Sequence, residues 1–240
     1  MKGIAYAVVT MLLRNRPEAG RARYRSATLD FGPVTERLVD QSLRAFSDDL
    51  ASERPVPGGG SASAYAGALG AALAAMVARI ASKKAPGAHD DFIAEVDDLR
   101  AALLRLVDDD SAAYARVSEA MKLPKATDEE KRERTERMQA ALLAAARVPL
   151  EIARTSRRLL EACERGGGLA PAAAASDIGV GALMAETALR GAALNVMINL
   201  ASLKDAAQVK ALSEDLDRAL DGADALRLRI LDSVEARIAR

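Results

Sequence analysis

The sequence predicts an all-α fold, and three features of its composition support that prediction. Roughly a fifth of the 240 residues are alanine, far above ordinary usage. Alanine is the best helix former and a poor strand former. Aromatic residues make up only 3% of the chain and tryptophan is absent, while glycine and proline are sparse and mostly clustered. A β-sandwich, a barrel or a disordered chain is therefore disfavoured, and we expect one bundle of closely packed helices.

The apolar pattern divides the chain into about six long helices. Apolar residues recur at helical spacing between about 33 and 52, which predicts the first helix. The segment 61–82 is almost wholly small and apolar, so we expect a helix buried on all sides. The third predicted helix runs from about 90 to 121 and ends before Leu123-Pro124.

The second half of the chain carries clear helix boundary signals. Thr127 and Glu130 form a capping-box pattern that starts a fourth helix. Pro149 should kink that helix, and three glycines at 166–168 should end it. Pro171 suits the start of a fifth helix reaching about 203, and a last amphipathic helix covers about 205–238.

Residues 1–30 differ from the remainder, so we expect an N-terminal extension before a helical domain at 31–240. The extension holds a short apolar run, Ile4 to Leu13, followed by an arginine-rich stretch. The run is too short to span a membrane. A loose extension is the preferred interpretation, with a targeting sequence or an ordered helix as alternatives. We expect a cytoplasmic protein with no membrane partner.

Charge and residue usage exclude several kinds of function. The chain has 34 basic and 34 acidic residues, without the basic excess and the stacking aromatics typical of nucleic-acid binding. The single cysteine, Cys163, and the single histidine, His89, leave no ordinary zinc site and no internal disulfide. An enzyme with this composition is expected to work without metal, through carboxylates, amides, lysines and backbone groups.

The most unusual segment reads Pro55-Val56-Pro57-Gly58-Gly59-Gly60-Ser61 and leads directly into the second helix. Three consecutive glycines make sense where the backbone bends tightly and approaches something closely. Ser61 is the expected N-cap, and the free N–H groups of the first turn suit an anion. A tight loop in which glycine serves only to save space is an equal alternative. Lys83 and Lys84 end the same helix, either as favourable C-terminal charges or as partners of an acidic ligand.

Four further polar residues lie in apolar helical surroundings. Most runs of aspartates such as 108–110 are solvated surface, but Asp110 approximately shares a face of the third helix with Leu103 and Leu106, which favours its burial. A buried carboxyl group could have a raised pKa and serve as acid or base. Asp177 and Asn195 share a face of the fifth helix but are roughly 27 Å apart. Asn199 is the i+4 neighbour of Asn195. The amides could equally brace helices, and Asp177 could join Asn195 in one site only if helices converge or two subunits meet.

Taken in their order along the chain, these motifs resemble those of the cyclodeaminase/cyclohydrolase family of folate enzymes, over about residues 40–235. The proline-glycine segment and Lys83-Lys84 come first. The Asp110-to-Tyr114 segment, Leu123-Pro124-Lys125 and Val148-Pro149-Leu150 follow. Ser176-Asp177-Ile178-Gly179-Val180 and Asn195 to Leu200 complete the set. The sequence departs from the pattern at Arg79, where an amide is expected, and after Lys84, where an aromatic residue is expected.

The resemblance implies a helical homodimer that acts on the one-carbon unit between N5 and N10 of tetrahydrofolate. It implies hydrolysis of 5,10-methenyltetrahydrofolate to 10-formyltetrahydrofolate, or alternatively closure of 5-formiminotetrahydrofolate with release of ammonia. The substrate is a folate derivative, which can carry a polyglutamate tail, and no cofactor beyond that substrate is expected. Asp110 is then the proton shuttle, Asp177 holds the pterin or the cationic centre, and Asn195 and Asn199 bond to the site or brace it. Gly58, Gly59, Gly60, Ser61, Lys83 and Lys84 bind substrate. Composition alone also allows a non-enzymatic helical interaction protein.

Overall fold

A computed structural model of the chain describes residues 37–239, and the regular elements in that range are all helical. Six of the seven α-helices have 15 residues or more, which confirms the predicted all-α fold of about six long helices. They are α1 (Leu43–Leu50), α2 (Gly59–Ser82), α3 (Asp90–Lys122), α4 (Asp128–Leu169), α5 (Ala175–Leu200), α6 (Ala206–Leu220) and α7 (Ala223–Ile238), with short 3₁₀ turns at Leu38–Asp40 and Ala172–Ala174. The predicted extension at 1–30 lies outside the described residues.

Helices α2 to α5 form a four-helix bundle in which each helix packs on its neighbours in chain order and α5 closes on α2. Small residues bring the antiparallel pair α2 and α5 close together: a Cβ at Gly70 would lie 2.7 Å from the carbonyl oxygen of Gly181. The core is a continuous cluster of buried alanine, leucine, valine and isoleucine. Helices α6 and α7 cover α4 and α5.

The predicted burial of α2 on all sides is wrong. The helix was expected to be buried on all sides, but its outer face is open: Leu69 and Met76 are 38% and 39% exposed. Among the described residues, α2 packs mainly on α3, α4 and α5, and Tyr65 near its start also contacts Phe46 of α1. Among the described residues α2 is the one helix long and apolar enough to cross a membrane, yet 56% of its apolar window is buried in the bundle, as in the core helix of a soluble protein.

Two predicted helices are broken at identifiable residues. The first predicted helix, about 33–52, is described from residue 37 onwards. In it, the backbone at Ser42 is extended, and the Ser42 side chain accepts a hydrogen bond from the Ala45 N–H. This cap starts α1 anew, so the segment is a 3₁₀ turn followed by a short helix. The last predicted helix is divided at Gly222, whose φ of 68° lies in the left-handed region. Such a residue ends one helix and lets α7 begin in a new direction.

The three glycines at 166–168 do not end α4, which continues to Leu169. Two contacts keep this stretch helical. A Cβ at Gly166 would lie 3.1 Å from Phe92 and Ile178, so glycine allows close packing there. Arg237 donates hydrogen bonds to the carbonyl oxygens of Gly167 and Ala170. The predicted capping box of Thr127 and Glu130 is confirmed at the other end of α4.

Candidate active site

The glycine turn, defined as Gly58 to Gly60, starts α2 directly. Gly58 is the N-cap residue and the helix begins at Gly59, so the prediction that Ser61 is the N-cap is wrong. Because the first N–H groups of a helix have no helical acceptor, those of Gly59 and Gly60 are available to other groups. The Phe46 and Tyr65 rings lie 5.5 Å apart and hold α1 against α2, on the two sides of the loop that contains the turn.

Asp110 on α3 supplies the cap that Ser61 was expected to provide. Its Oδ2 accepts a hydrogen bond of 2.9 Å from the Ser61 N–H and lies 3.3 Å from the Ser61 hydroxyl. That hydroxyl donates to the carbonyl oxygen of Val107 at 2.8 Å and also contacts Ser111 Oγ at 3.1 Å. A Cβ at Gly60 would overlap the Asp110 carboxylate. Glycine at position 60 is therefore what allows a carboxylate to lie against the start of α2.

Burial raises the pKa of Asp110 above its ordinary value, and the two hydrogen bonds from Ser61 partly oppose that shift. The neighbouring aspartates differ from it. Asp108 accepts a hydrogen bond from the Leu38 N–H and pairs with Arg37, while Asp109 is exposed. A carboxyl group with a raised pKa, next to a helix start and oriented by fixed donors, is suited to accept and return a proton.

Asn195 on α5 forms the other side of the glycine turn. A Cβ at Gly59 would lie 3.2 Å from its Nδ2, and this amide donates a hydrogen bond of 2.8 Å to the Gly191 carbonyl. Ser63 lies between the two helices: its hydroxyl donates to the Gly59 carbonyl at 2.6 Å, and a Cβ at Gly191 would overlap it. The turn, Asp110 and Asn195 thus meet at one end of α2.

Asn199 braces the fold next to this site. Its Nδ2 donates a hydrogen bond of 2.8 Å to the Ala145 carbonyl and so ties α5 to α4. Asp110 lies against the start of α2, and α3 extends twelve residues, roughly 18 Å, beyond Asp110. Helix α3 and the beginning of α4 therefore form a hairpin that projects past the start of α2. A second apolar cluster holds this projecting hairpin together, with buried side chains Ala113, Val117, Ala120, Ala141 and Ala145.

The remaining three predicted site residues lie at the opposite end of the α2 and α5 pair. Lys83 and Lys84 follow α2 and are exposed, roughly 36 Å from the glycine turn. Asp177 is half-buried in the first turn of α5, about 27 Å from Asn195. Within the described part of the chain, none of the three side chains has a hydrogen bond or ion pair. One chain therefore does not bring them to the glycine turn.

Two site residues were missed from the sequence. Ser63 follows Gly59 by one helical turn, and Ser111 directly follows Asp110. The spacing of Ser63 was a usable signal, since a hydroxyl at i+4 can bond back to a carbonyl. The contact of Ser111 with Ser61 could not be found without knowing how α2 and α3 pack. Among the described residues, no three His, Cys, Asp or Glu side chains lie together as a metal site would require.

Comparison with known families agrees with this geometry. The family model described as Formiminotransferase-cyclodeaminase matches residues 42–218, which contain all the helices that form the candidate site. The chain belongs to this family.

Members of the formiminotransferase-cyclodeaminase family with two different activities are similar to it. The chain is 37% identical over 204 residues to the methenyltetrahydrofolate cyclohydrolase of Methylorubrum extorquens, covering 83% of this chain and 98% of that protein. It is 36% identical over 213 residues to the formimidoyltransferase-cyclodeaminase of Rattus norvegicus, covering 87% of this chain. It spans only 39% of the length of that rat protein.

A solved structure of a family member has the same fold. The crystal structure of formiminotetrahydrofolate cyclodeaminase from Thermotoga maritima aligns with a TM-score of 0.70 and 26% sequence identity. The alignment covers 82% of this chain and 97% of the other. The resemblance inferred from the motifs is thus confirmed at the level of the family.

Proposed function

We propose that the protein is a folate one-carbon enzyme that hydrolyses 5,10-methenyltetrahydrofolate to 10-formyltetrahydrofolate. The observation that carries this choice is the similarity to the cyclohydrolase of Methylorubrum extorquens, because the chain spans nearly the whole of that protein. The candidate site supports the same chemistry, since it joins a carboxyl group of raised pKa to unpaired backbone donors.

The residues can be assigned roles in this reaction. The methenyl carbon is a cation bonded to N5 and N10, and water attacks it to give a tetrahedral centre. Asp110 accepts a proton from the attacking water. As the bond from carbon to N5 breaks, a proton passes from the new hydroxyl group to N5 through Asp110, which leaves the formyl group on N10 and releases one proton overall. The Ser61 N–H holds the carboxylate in position for both transfers.

The second candidate reaction is cyclodeamination, in which 5-formiminotetrahydrofolate closes to the methenyl form and releases ammonia. It is favoured by the similarity to the Thermotoga maritima cyclodeaminase, which the chain also spans almost entirely. Both reactions pass through a carbon bonded to two nitrogens, so the same shuttle serves both. A non-enzymatic interaction protein, the third possibility from composition, has no support from these relatives.

Offering each substrate to the purified protein distinguishes the candidates. Loss of the methenyl absorbance indicates hydrolysis, whereas its appearance from 5-formiminotetrahydrofolate together with ammonia indicates deamination. The Asp110→Asn variant is the control for turnover at this site. If neither substrate reacts, the proposed function is wrong.

We also propose that the protein is a homodimer that pairs through the outer face of α2 and α5. Six of its exposed large apolar side chains define this face: Leu69, Met76, Val180, Leu183, Leu194 and Ile198. Leu194 and Ile198 are 65% and 67% exposed. A group of exposed large apolar side chains on one face usually marks an interaction site.

Sedimentation equilibrium tests the dimer at micromolar protein, where the expected mass is twice the 25.3 kDa of the chain. Leu183→Asp should shift the protein towards the monomer because it puts a charge in the interface. Leu228→Asp is the matched control, since Leu228 is 51% exposed on α7, outside the face. A monomeric wild-type protein contradicts the proposal. A polyglutamate tail on the substrate and a cytoplasmic location remain predictions.

A further inference from the structure

The two oxygen atoms of the Asp110 carboxyl group have different surroundings. Oδ2 accepts the hydrogen bond of 2.9 Å from the Ser61 N–H, and the Ser61 hydroxyl lies 3.3 Å from the same atom. Among the described residues, no group donates a hydrogen bond to Oδ1. This second oxygen lies against Gly60, where a Cβ would overlap it. Because the Asp110 side chain is only half-buried, Oδ1 is the oxygen left for a ligand at the glycine turn.

The Ser61 N–H determines which of the two oxygens carries the proton when Asp110 is neutral. A backbone N–H can only donate, so it needs an acceptor at Oδ2 in both protonation states. In a neutral carboxyl group the carbonyl oxygen is the better acceptor. The bond from the N–H therefore favours the carbonyl oxygen at Oδ2 and the proton at Oδ1, on the side of the glycine turn.

The Ser61 hydroxyl has one proton and two acceptors within reach, the Val107 carbonyl oxygen at 2.8 Å and Asp110 Oδ2 at 3.3 Å. The shorter bond to Val107 is favoured while Asp110 is neutral. A hydrogen bond to a carboxylate is stronger than one to a neutral acceptor, so the hydroxyl is expected to turn to Oδ2 when Asp110 is ionised. The Val107 carbonyl then keeps the helical bond that α3 provides.

Ser111 can support the ionised arrangement. Its Oγ lies 3.1 Å from the Ser61 Oγ, and either hydroxyl can donate to the other. Once the Ser61 proton points to Asp110, the Ser61 oxygen is free to accept, and Ser111 can donate to it. The Ser61 side chain is fully buried, so bulk water does not compete for this place. Two hydroxyl groups in series thus lead to the oxygen that the ligand does not reach.

We propose that Asp110 carries the moving proton on Oδ1, and that Ser61 and Ser111 are positioning residues whose hydroxyl groups form a relay onto Oδ2. The proposal rests on the proposed folate function and deepens it. Each proton that Asp110 moves in the hydrolysis then enters and leaves on the glycine-turn side. The Ser61 hydroxyl turns between Val107 and Asp110 as that proton arrives and departs, so the buried side of the carboxylate is stabilised without solvent.

The charged groups around Asp110 form no ion pair with it among the described residues, and its raised pKa comes from burial opposed by the bonds from Ser61. Asp108 pairs with Arg37, Asp49 pairs with Arg54, and Asp109 is exposed. The half-buried ionisable side chains nearby are Tyr114 on α3 and Tyr65 on α2, while α5 presents the uncharged Asn195. The exposed charged side chains on the surrounding segments are Asp40, Arg44, Asp48, Glu53, Arg105 and Arg147. All of these groups are retained in the variants below, so differences between the variants report the relay.

The pH dependence of kcat/KM tests the relay, because its rise with pH follows proton loss from Asp110 in the free enzyme. Removing a donor destabilises the carboxylate, so the midpoint of that rise moves to higher pH. Ser61→Ala should move it by about one pH unit. Ser111→Ala should move it less, in the same direction, while Ser111→Thr keeps the hydroxyl and the wild-type midpoint. The double alanine variant should match Ser61→Ala alone, because Ser111 acts only through Ser61.

Ser118→Ala is the matched control, since Ser118 lies eight residues beyond Asp110 on α3, roughly 12 Å away, and should keep the wild-type midpoint. Unchanged midpoints in Ser61→Ala and Ser111→Ala overturn the proposal. So does a shift of the double variant that equals the sum of the two single shifts. If Ser61→Ala does not fold, Ser111→Ala and Ser111→Thr decide, and equal midpoints in these two variants overturn the proposal.

A titration without substrate separates failure of the relay from failure of the proposed function. Carbon NMR of the Asp110 carboxyl group, assigned by the signal that Asp110→Asn lacks, should give the same order of midpoints. If the wild-type protein converts neither folate, the proposed function has failed, and the NMR midpoints alone decide on the relay. If the wild-type protein is active and the midpoints do not move, only the relay has failed.

Discussion

The two ends of α2 show opposite ways of using polar groups. At the glycine turn the polar groups are bonded to each other: Asp110 to Ser61, Ser63 to Gly59 and Asn195 to Gly191. At the opposite end, here called the lysine end, the side chains of Lys83, Lys84 and Asp177 have no such partners among the described residues. The polar groups of the first end are therefore held in fixed positions, whereas the three side chains of the second end are not held by partners within the described residues.

This difference has a cost in stability at the first end only. A buried carboxyl group is unfavourable when ionised, and two hydrogen bonds from Ser61 offset only part of that cost. The exposed lysines at the second end stay solvated. Substitutions that disturb the Asp110 carboxyl group should therefore change turnover and stability together, whereas substitutions at Lys83, Lys84 or Asp177 should change substrate binding more than turnover.

The largest effect is expected for Asp110→Asn. An amide of the same size still accepts the Ser61 N–H but cannot carry the proton, so turnover should fall roughly a hundredfold or more. Steady-state kinetics on the reacting folate measures it. Asp109→Asn, one residue away and exposed, is the matched control and should keep normal turnover. Normal turnover in the Asp110 variant would remove this residue from the mechanism.

Alanine substitutions along the glycine turn should form a graded series. Gly60→Ala puts a Cβ into the Asp110 carboxylate, so we expect lost activity and a free energy of unfolding lowered by about 1–3 kcal/mol. Gly59→Ala brings a Cβ to 3.2 Å from Asn195 and should reduce activity more than stability. Gly58→Ala, with 3.7 Å to its nearest neighbour, is the control. Urea unfolding and turnover of the folded protein measure both effects, and equal behaviour of the three variants would contradict the proposed contact.

At the lysine end, Asp177→Asn should raise the Michaelis constant more than it lowers turnover. The reason is that Asp177 is assigned to binding the folate and not to moving its proton. The thermal stability of the variant should stay close to that of the wild type, because the Asp177 side chain has no hydrogen bond or ion pair to lose within the described residues. Initial rates over a range of folate concentrations measure the effect. A fall in turnover at unchanged Michaelis constant would instead assign the shuttle to Asp177.

The smallest effect concerns stability against pH. The pKa of Asp110 is raised in the folded protein, so between the ordinary value of 3.8 and the folded value the unfolded chain loses its proton first. The folded state therefore loses stability as pH rises through that window. Asp110→Asn lacks this loss and should gain unfolding temperature relative to the wild type at pH 7 but not at pH 3. Thermal scans at the two pH values measure it, and an equal difference at both would show that ionisation of Asp110 does not affect stability.

The sequence by itself determined the helical class, the family, the capping box at Thr127 and the candidates Asp110 and Asn195, because alanine content, caps and helical spacing are local properties. It did not determine that α4 continues through three glycines, that Asp110 and not Ser61 caps α2, or that the outer face of α2 stays open. Each of these depends on a residue distant in the chain: Arg237 for the glycines, Asp110 for the cap and the positions of α3 and α5 for the open face. Only tertiary packing brings such residues together. The local sequence pattern indicates which residues can be buried, but it does not indicate which residues from distant parts of the chain contact them.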